Sequence, residues 1–158
     1  LILMLAVSVE AGRLFNAYRS LGQASTSIAR MLAQFPEYDR RARDFAPPIA
    51  NVVLPGGTTN GFNLQVTSLT RSGVGFTQRF THTLFGADPG IRWQDTVQTA
   101  NYDQNEPVIH VAATYDYRPM FGILPVGTVT LRKTLIVTPF FSRAYVWNDA
   151  ISTDKYVY

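Results

Sequence analysis

The chain contains no cysteine and only two histidines, His82 and His110, among its 158 residues. The absence of thiols excludes a disulfide framework, thiolate zinc sites, iron–sulfur clusters and a cysteine nucleophile. The two histidines leave few candidates for catalysis, and neither belongs to a metal-ligand motif. We therefore expect no cofactor and no metal, and we predict that the protein is not an enzyme.

Charged residues are also scarce. They make up 16% of the chain, whereas an average domain has about a quarter, and hydrophobic residues make up 46%. This balance excludes bulk disorder and argues against a charge-rich coiled coil. The net charge of +3 does not by itself call for nucleic acid. At 158 residues the chain is long enough to bury one core without disulfides or metals.

The chain begins with an uncharged apolar run, LILMLAVSV, and its first charged residue is Glu10. A helix that spans a bilayer needs about 20 apolar residues, and nine helical residues cover only roughly 14 Å. We interpret the run as the second half of a membrane span whose first half precedes residue 1. The alternative is the buried start of an amphipathic helix in a soluble protein.

Beyond Glu10, apolar residues recur in steps of four and three, the heptad spacing of a helix that packs along one seam. Pro36 ends the pattern, so we predict one helix over residues 1–35, about 50 Å long. This seam can pack on the chain's own sheet, on neighbouring subunits, or on each over a different stretch. Its members are Leu14, Tyr18, Leu21, Ser25, Ile28, Leu32 and Phe35.

The remainder of the sequence favours strands and turns. Residues 36–60 are predicted to form a connector, because they combine mixed charges with Pro47-Pro48 and Pro55-Gly56-Gly57. From residue 61 polar and apolar side chains alternate, which is typical of strands. We expect strands near residues 62–69, 76–84, 108–117 and 128–140, with further short strands at 92–98 and in the tail at 141–158.

These elements predict an α+β protein. A long N-terminal helix, the end of a membrane span, precedes a mostly antiparallel β-sheet of about four to five strands. The corresponding divisions are residues 1–35 for the helix, 36–60 for the connector and 61–158 for a β-rich domain.

Glu10 and Arg13 lie on one face of the predicted helix, where the apolar run ends. Near a membrane interface such a pair costs less together than either charge costs alone. The pair either marks the end of a span or contacts the helix of a neighbouring subunit. Together with the seam it forms a candidate subunit interface: Glu10, Arg13, Leu14, Tyr18, Leu21, Ile28 and Leu32.

Two stretches of the sequence are similar to a known pattern. The first is the apolar run ending in Glu10-Ala11-Gly12-Arg13, followed by a helix rich in Ala, Gln and Arg. The second is the predicted strand to residue 117, the proline-bearing apolar connection at 118–127 and the Thr-rich strand after it. In both respects the chain resembles the TadE-like family of the tight-adherence pilus system.

The resemblance implies a minor pilin or pseudopilin. Its N-terminal helix would lie in the bacterial inner membrane, and its β domain would be extracytoplasmic, in the periplasm or on a pilus. Its partners would be other pilin or pseudopilin subunits and inner-membrane pilus assembly proteins, with no nucleic acid and no small-molecule substrate.

Two other functions stay open at this point. One is a tethered, adhesin-like binding module that uses the aromatic residues Tyr102, Phe121 and Trp147. The other is a major filament subunit.

Overall fold

The computed structural model describes residues 1–35, 38, 40–120 and 127–140. Within these residues the chain forms two α-helices and four β-strands, which confirms the predicted α+β class. The elements are α1 (Ile2–Gln34), α2 (Arg40–Val53), β1 (Phe62–Ser72), β2 (Gly75–Phe85), β3 (Pro107–Tyr117) and β4 (Val129–Val137).

The four strands form one antiparallel sheet in the order β2-β1-β3-β4. A two-residue turn joins β1 to β2, with Ser72 paired to Gly75. Gly73 occupies the first turn position with a φ of 55°, which glycine adopts without a steric penalty. The sheet therefore begins as a tight hairpin, and β3 then pairs with the other side of β1.

The main core lies between the helices and one face of the sheet. Alternate residues of β1 and β3 point to this inner face, as the period of two requires. Small residues on α1 allow the helix to approach the sheet closely. The buried members are Leu21, Ala24, Ile28, Ala29, Leu32, Tyr38, Ala46, Ala50, Leu54, Phe62, Leu64, Val66, Ile109, Val111 and Ala113.

Helix α2 lies inside the predicted connector, which the sequence analysis did not expect. Pro47 and Pro48 fall within it, although proline removes helical hydrogen bonds and usually ends a helix. Tertiary packing accounts for the difference, because Ala46, Ala50 and Leu54 recur every four residues and are buried against α1 and the sheet.

The outer face of the sheet is partly covered by the segment 86–106 rather than by a helix. Leu69, Val97 and Val108 form a second, smaller core there. The strand expected at 92–98 is absent; Trp93–Asp95 form a short 3₁₀ turn instead. After this turn, the side chain of Val97 lies in the second core. A strand would instead have kept the segment extended. The tail strand expected at 141–158 lies outside the described residues.

The membrane-span part of the predicted architecture finds no support in the described residues. No helix within the described residues is both long enough and apolar enough to cross a bilayer.

Candidate functional site

Helix α1 has two halves with opposite environments. Its first turns are apolar but exposed to solvent: Ile2 is 84% exposed, Met4 75% and Leu5 67%. From Ala17 to Ala33 the helix lies on the sheet, and each turn buries the residues on one face. A contiguous apolar surface of this kind is unusual on a soluble monomer and indicates a surface that another molecule covers. We call residues 1–9 the apolar N-terminal stretch.

Glu10 lies at the boundary between the two halves. It is 3% exposed and points toward the chain's own sheet. The Tyr117 hydroxyl donates a hydrogen bond to one carboxylate oxygen. The backbone N–H of Met120 donates to the other oxygen, with an N···Oε2 distance of 3.1 Å. The carboxylate therefore connects the first third of α1 to the end of β3 and the residues that follow.

Tyr117 is adapted to this arrangement. Burial raises the pKa of its phenol to about 12, and the hydrogen bond to Glu10 and the charge of Glu10 add to the increase. Arg13 acts in the opposite direction. The phenol consequently keeps its proton at physiological pH and donates a hydrogen bond to the Glu10 carboxylate.

The structure separates the residues of the predicted interface into two groups. Leu21, Ile28 and Leu32 are completely buried in the chain's own core, so assigning them to a subunit interface requires correction. The physical reason is that β3 and β4 lie opposite this stretch of α1 and present apolar side chains to it. The seam packs on the chain's own sheet over this stretch, one of the arrangements left open by the sequence.

The other predicted residues lie nearer the surface. Arg13 and Tyr18 are exposed, and Leu14 is half-buried. The Lys133 ammonium lies 5.7 Å from the centroid of the Tyr18 ring, which fits a cation–π contact. Arg13 also lines a cleft of about 700 Å³ between α1, the 55–61 turn and the end of β3. Glu10 faces inward, toward Tyr117 at the end of β3.

Tyr117 was missed as a functional residue by the sequence analysis. It is 107 residues from Glu10, so no local spacing connects the two. The only signal was that Glu10 follows an apolar run, which predicts a charge at a boundary but no partner for it. The aromatic residue Tyr102, proposed for surface binding, instead packs against Phe76 in the second core. Phe121 and Trp147 lie outside the described residues.

His110 has a structural environment on the outer face. It is almost completely buried, and burial lowers its pKa to about 4. Its Nε2 lies 2.9 Å from the Thr96 hydroxyl, which donates its own proton to the Trp93 carbonyl oxygen. The hydroxyl has one proton to donate, so it accepts the Nε2–H of the neutral imidazole. This contact fastens the segment 86–106 to β3.

The described part of the chain contains no group of three or more side chains that could hold a metal ion. No family model, curated protein or solved structure matches this chain.

Proposed function

We propose that the protein is a non-enzymatic, minor-pilin-like subunit that helps to assemble, prime or anchor a pilus of the tight-adherence type. It is held at the bacterial inner membrane by its N-terminal helix, as the end of a membrane span, with the sheet domain on the extracytoplasmic side. Its partners are other pilin-like subunits and inner-membrane assembly proteins. The resemblance of residues 10–13 and of the C-terminal strand pattern to TadE-like proteins supports this proposal.

The observation that carries the proposal is the exposure of the apolar N-terminal stretch. Its residues are exposed on most sides of the helix rather than along one stripe, so a single flat partner cannot cover them. A surrounding apolar medium, either lipid or a bundle of like helices, can. At about 25 cal/mol per Å² of apolar surface, leaving several such side chains in water costs several kcal/mol.

The position of Glu10 agrees with this arrangement. The exposed apolar surface is concentrated on the N-terminal side of Glu10, and the sheet packs on the C-terminal side. Its carboxylate is enclosed by the chain's own donors rather than left for lipid, where an isolated charge is costly. The Glu10–Tyr117 contact thus fixes the helix against the sheet at the place where the membrane or the helix bundle would begin.

Site-specific photo-crosslinking in piliated cells tests the proposal. A photoreactive residue is placed at Val7 or Phe15, both exposed on α1. The matched control is Val74 at the β1–β2 turn, which is apolar and 96% exposed but lies in the hairpin rather than on the helix. We expect the two helix positions to crosslink to pilin-like subunits or assembly proteins, and the control to give none of these products.

A second arm measures function. Replacing Leu3 and Leu5 with Ser in the complete gene product should reduce membrane recovery and the number of surface pili, whereas Val74→Ser should change neither. Normal piliation in the Leu3/Leu5 variant, together with identical crosslinks from helix and control positions, would reject the proposal. Crosslinks to the chain itself along the whole filament would favour a major filament subunit instead.

A further inference from the structure

A polar groove lies on the outer face of the sheet, opposite the helices. It has a volume of about 510 Å³ and runs between strands β1 and β2 and the segment 88–94. We call it the outer groove. Its floor carries Gln65, Thr67, Gln78 and Thr81, and its wall includes Arg92 and Trp93.

The chemistry of the outer groove suits a neutral ligand with many hydroxyl groups. Amide and hydroxyl side chains both donate and accept hydrogen bonds, as a sugar hydroxyl does. Among the lining residues that the structure describes, the only ionisable groups are Asp88 and Arg92, whose charges cancel. A phosphate or a strongly acidic ligand would call for an excess of cations, which the groove does not have.

The groove is held in shape by its own hydrogen bonds. The Trp93 indole N–H donates to Gln78 Oε1 at 3.1 Å, and the hydroxyls of Thr67 and Thr81 are 3.1 Å apart. Because its N–H is already engaged, the half-buried indole adds mainly apolar ring surface to the groove. Gln78 retains its NH₂ group as a donor. Such preorganised sites lose less entropy when a ligand binds.

The wall of the groove is also anchored from behind. The Trp93 ring makes an edge contact with Phe76, with centroids 6.2 Å apart. Three residues farther on, Thr96 contacts the buried His110, and Val97 enters the second core. The segment that carries Trp93 and Arg92 is therefore a fixed part of the sheet's outer layer.

We propose that the outer groove binds a neutral sugar, one or two hexose units of a glycan. A cavity of about 510 Å³ lies within the usual range of small-ligand sites. The sugar hydroxyls would exchange hydrogen bonds with Gln65, Thr81 and Gln94, and an apolar sugar face would pack on Trp93. This binding activity does not depend on the pilus proposal, because it uses the opposite face of the sheet.

The test is a nuclear magnetic resonance titration of the complete chain with galactose, glucose, mannose, N-acetylglucosamine, lactose and chitobiose, and with inorganic phosphate. Thr81→Ala and Gln94→Ala each remove one hydrogen-bonding side chain from the groove. Thr77→Ala and Gln98→Ala are matched controls on the same strand and segment, exposed but outside the groove. We expect at least one sugar to shift groove resonances, and each groove variant to weaken its binding by about three- to tenfold.

Several results would overturn the proposal. One is the absence of binding by every sugar with a Kd below about 10 mM. Another is equal affinity of the groove variants and the two controls. Phosphate binding in the groove without sugar binding would also reject a neutral ligand. Trp93→Leu, which keeps an apolar side chain toward Phe76, adds a further measurement: it should lose sugar binding while its thermal unfolding stays cooperative.

Discussion

The two halves of α1 are both apolar, yet one is exposed and the other is buried. The first half has large side chains such as Leu3 and Leu5 that contact solvent. The second half mixes Leu and Ile with Ala24 and Ala29 and is enclosed by the sheet. Burial in this helix therefore follows what lies opposite each side chain, rather than how hydrophobic the side chain is. The same spacing of apolar residues is therefore compatible with packing in a core or at an interface.

The difference also assigns separate tasks to the halves. The second half supplies the folding energy, because each fully buried Leu or Ile contributes about 1.5–3 kcal/mol. The first half adds little to folding, and its exposed surface is the part that can interact with something else. Glu10 divides the two. The following experiments test this division, beginning with the largest expected effect.

Ile28→Ala should destabilise the protein by about 2–5 kcal/mol, because it removes a completely buried side chain and leaves a cavity between α1 and the sheet. Leu3→Ala in the exposed half should change the free energy of unfolding by less than about 0.5 kcal/mol. Urea denaturation followed by circular dichroism measures both values. Similar losses for the two variants would mean that the first half folds onto the body in solution, and the division would fail.

Acid should destabilise the outer layer through His110. Its pKa is lowered to about 4 in the folded state, and an unfolded histidine has a pKa near 6.5. Below pH 6.5 the unfolded chain therefore binds more protons than the folded chain does. Above that pH, His110 is neutral in both states and leaves the free energy of unfolding independent of pH. The free energy of unfolding falls as the pH decreases from 6.5 toward 4, by up to about 3 kcal/mol. His110→Gln should lose most of this pH dependence, measured as the denaturation midpoint at pH 7 and pH 4.5; an equal slope in both proteins would contradict it.

Glu10→Ala should cost about 1–3 kcal/mol, because the Tyr117 hydroxyl and the Met120 N–H both lose their acceptor in a buried place. The second readout is the Tyr117 pKa, raised to about 12 in the native protein. In Glu10→Gln the carboxylate charge is gone and the pKa should decrease toward its ordinary value. Absorbance at alkaline pH, with Tyr117→Phe to identify the signal, measures it. An unchanged phenol titration would show that burial alone sets the pKa.

Much of the fold could be predicted from the sequence. The 4-3 spacing predicted α1 to within a residue or two of its ends, since a proline follows it. The alternation in residues 62–69 predicted β1, whose inner face is buried. Residues 108–117 were also predicted as a strand, and β3 is buried on both faces over most of its length. Helix α2 was missed, since Pro47-Pro48 usually ends a helix and only tertiary packing of Ala46 and Ala50 explains it.

The site was less predictable than the fold. Glu10 and Arg13 were recognised as unusual by their position after the apolar run. The sequence could not show that Glu10 turns inward, because its partner Tyr117 is brought near only by the sheet register. Nor could the sequence show which residues of the seam the chain's own sheet covers. Leu21 and Tyr18 share one periodic pattern, yet the first lies in the core and the second on the surface.

The smallest expected effect is at Tyr18, an exposed residue at the start of the half of α1 that lies on the sheet. Its ring lies 5.7 Å from the Lys133 ammonium of β4, so Tyr18→Leu should remove a cation–π contact but keep the apolar packing. We expect a loss of about 0.5–1 kcal/mol, as for other exposed contacts of this kind. The double variant Tyr18→Leu with Lys133→Met closes a thermodynamic cycle, measured by urea denaturation. A coupling energy of zero would mean that Tyr18 contributes nothing electrostatic to the fold, and that its exposed ring belongs with the first half of α1 as surface for a partner.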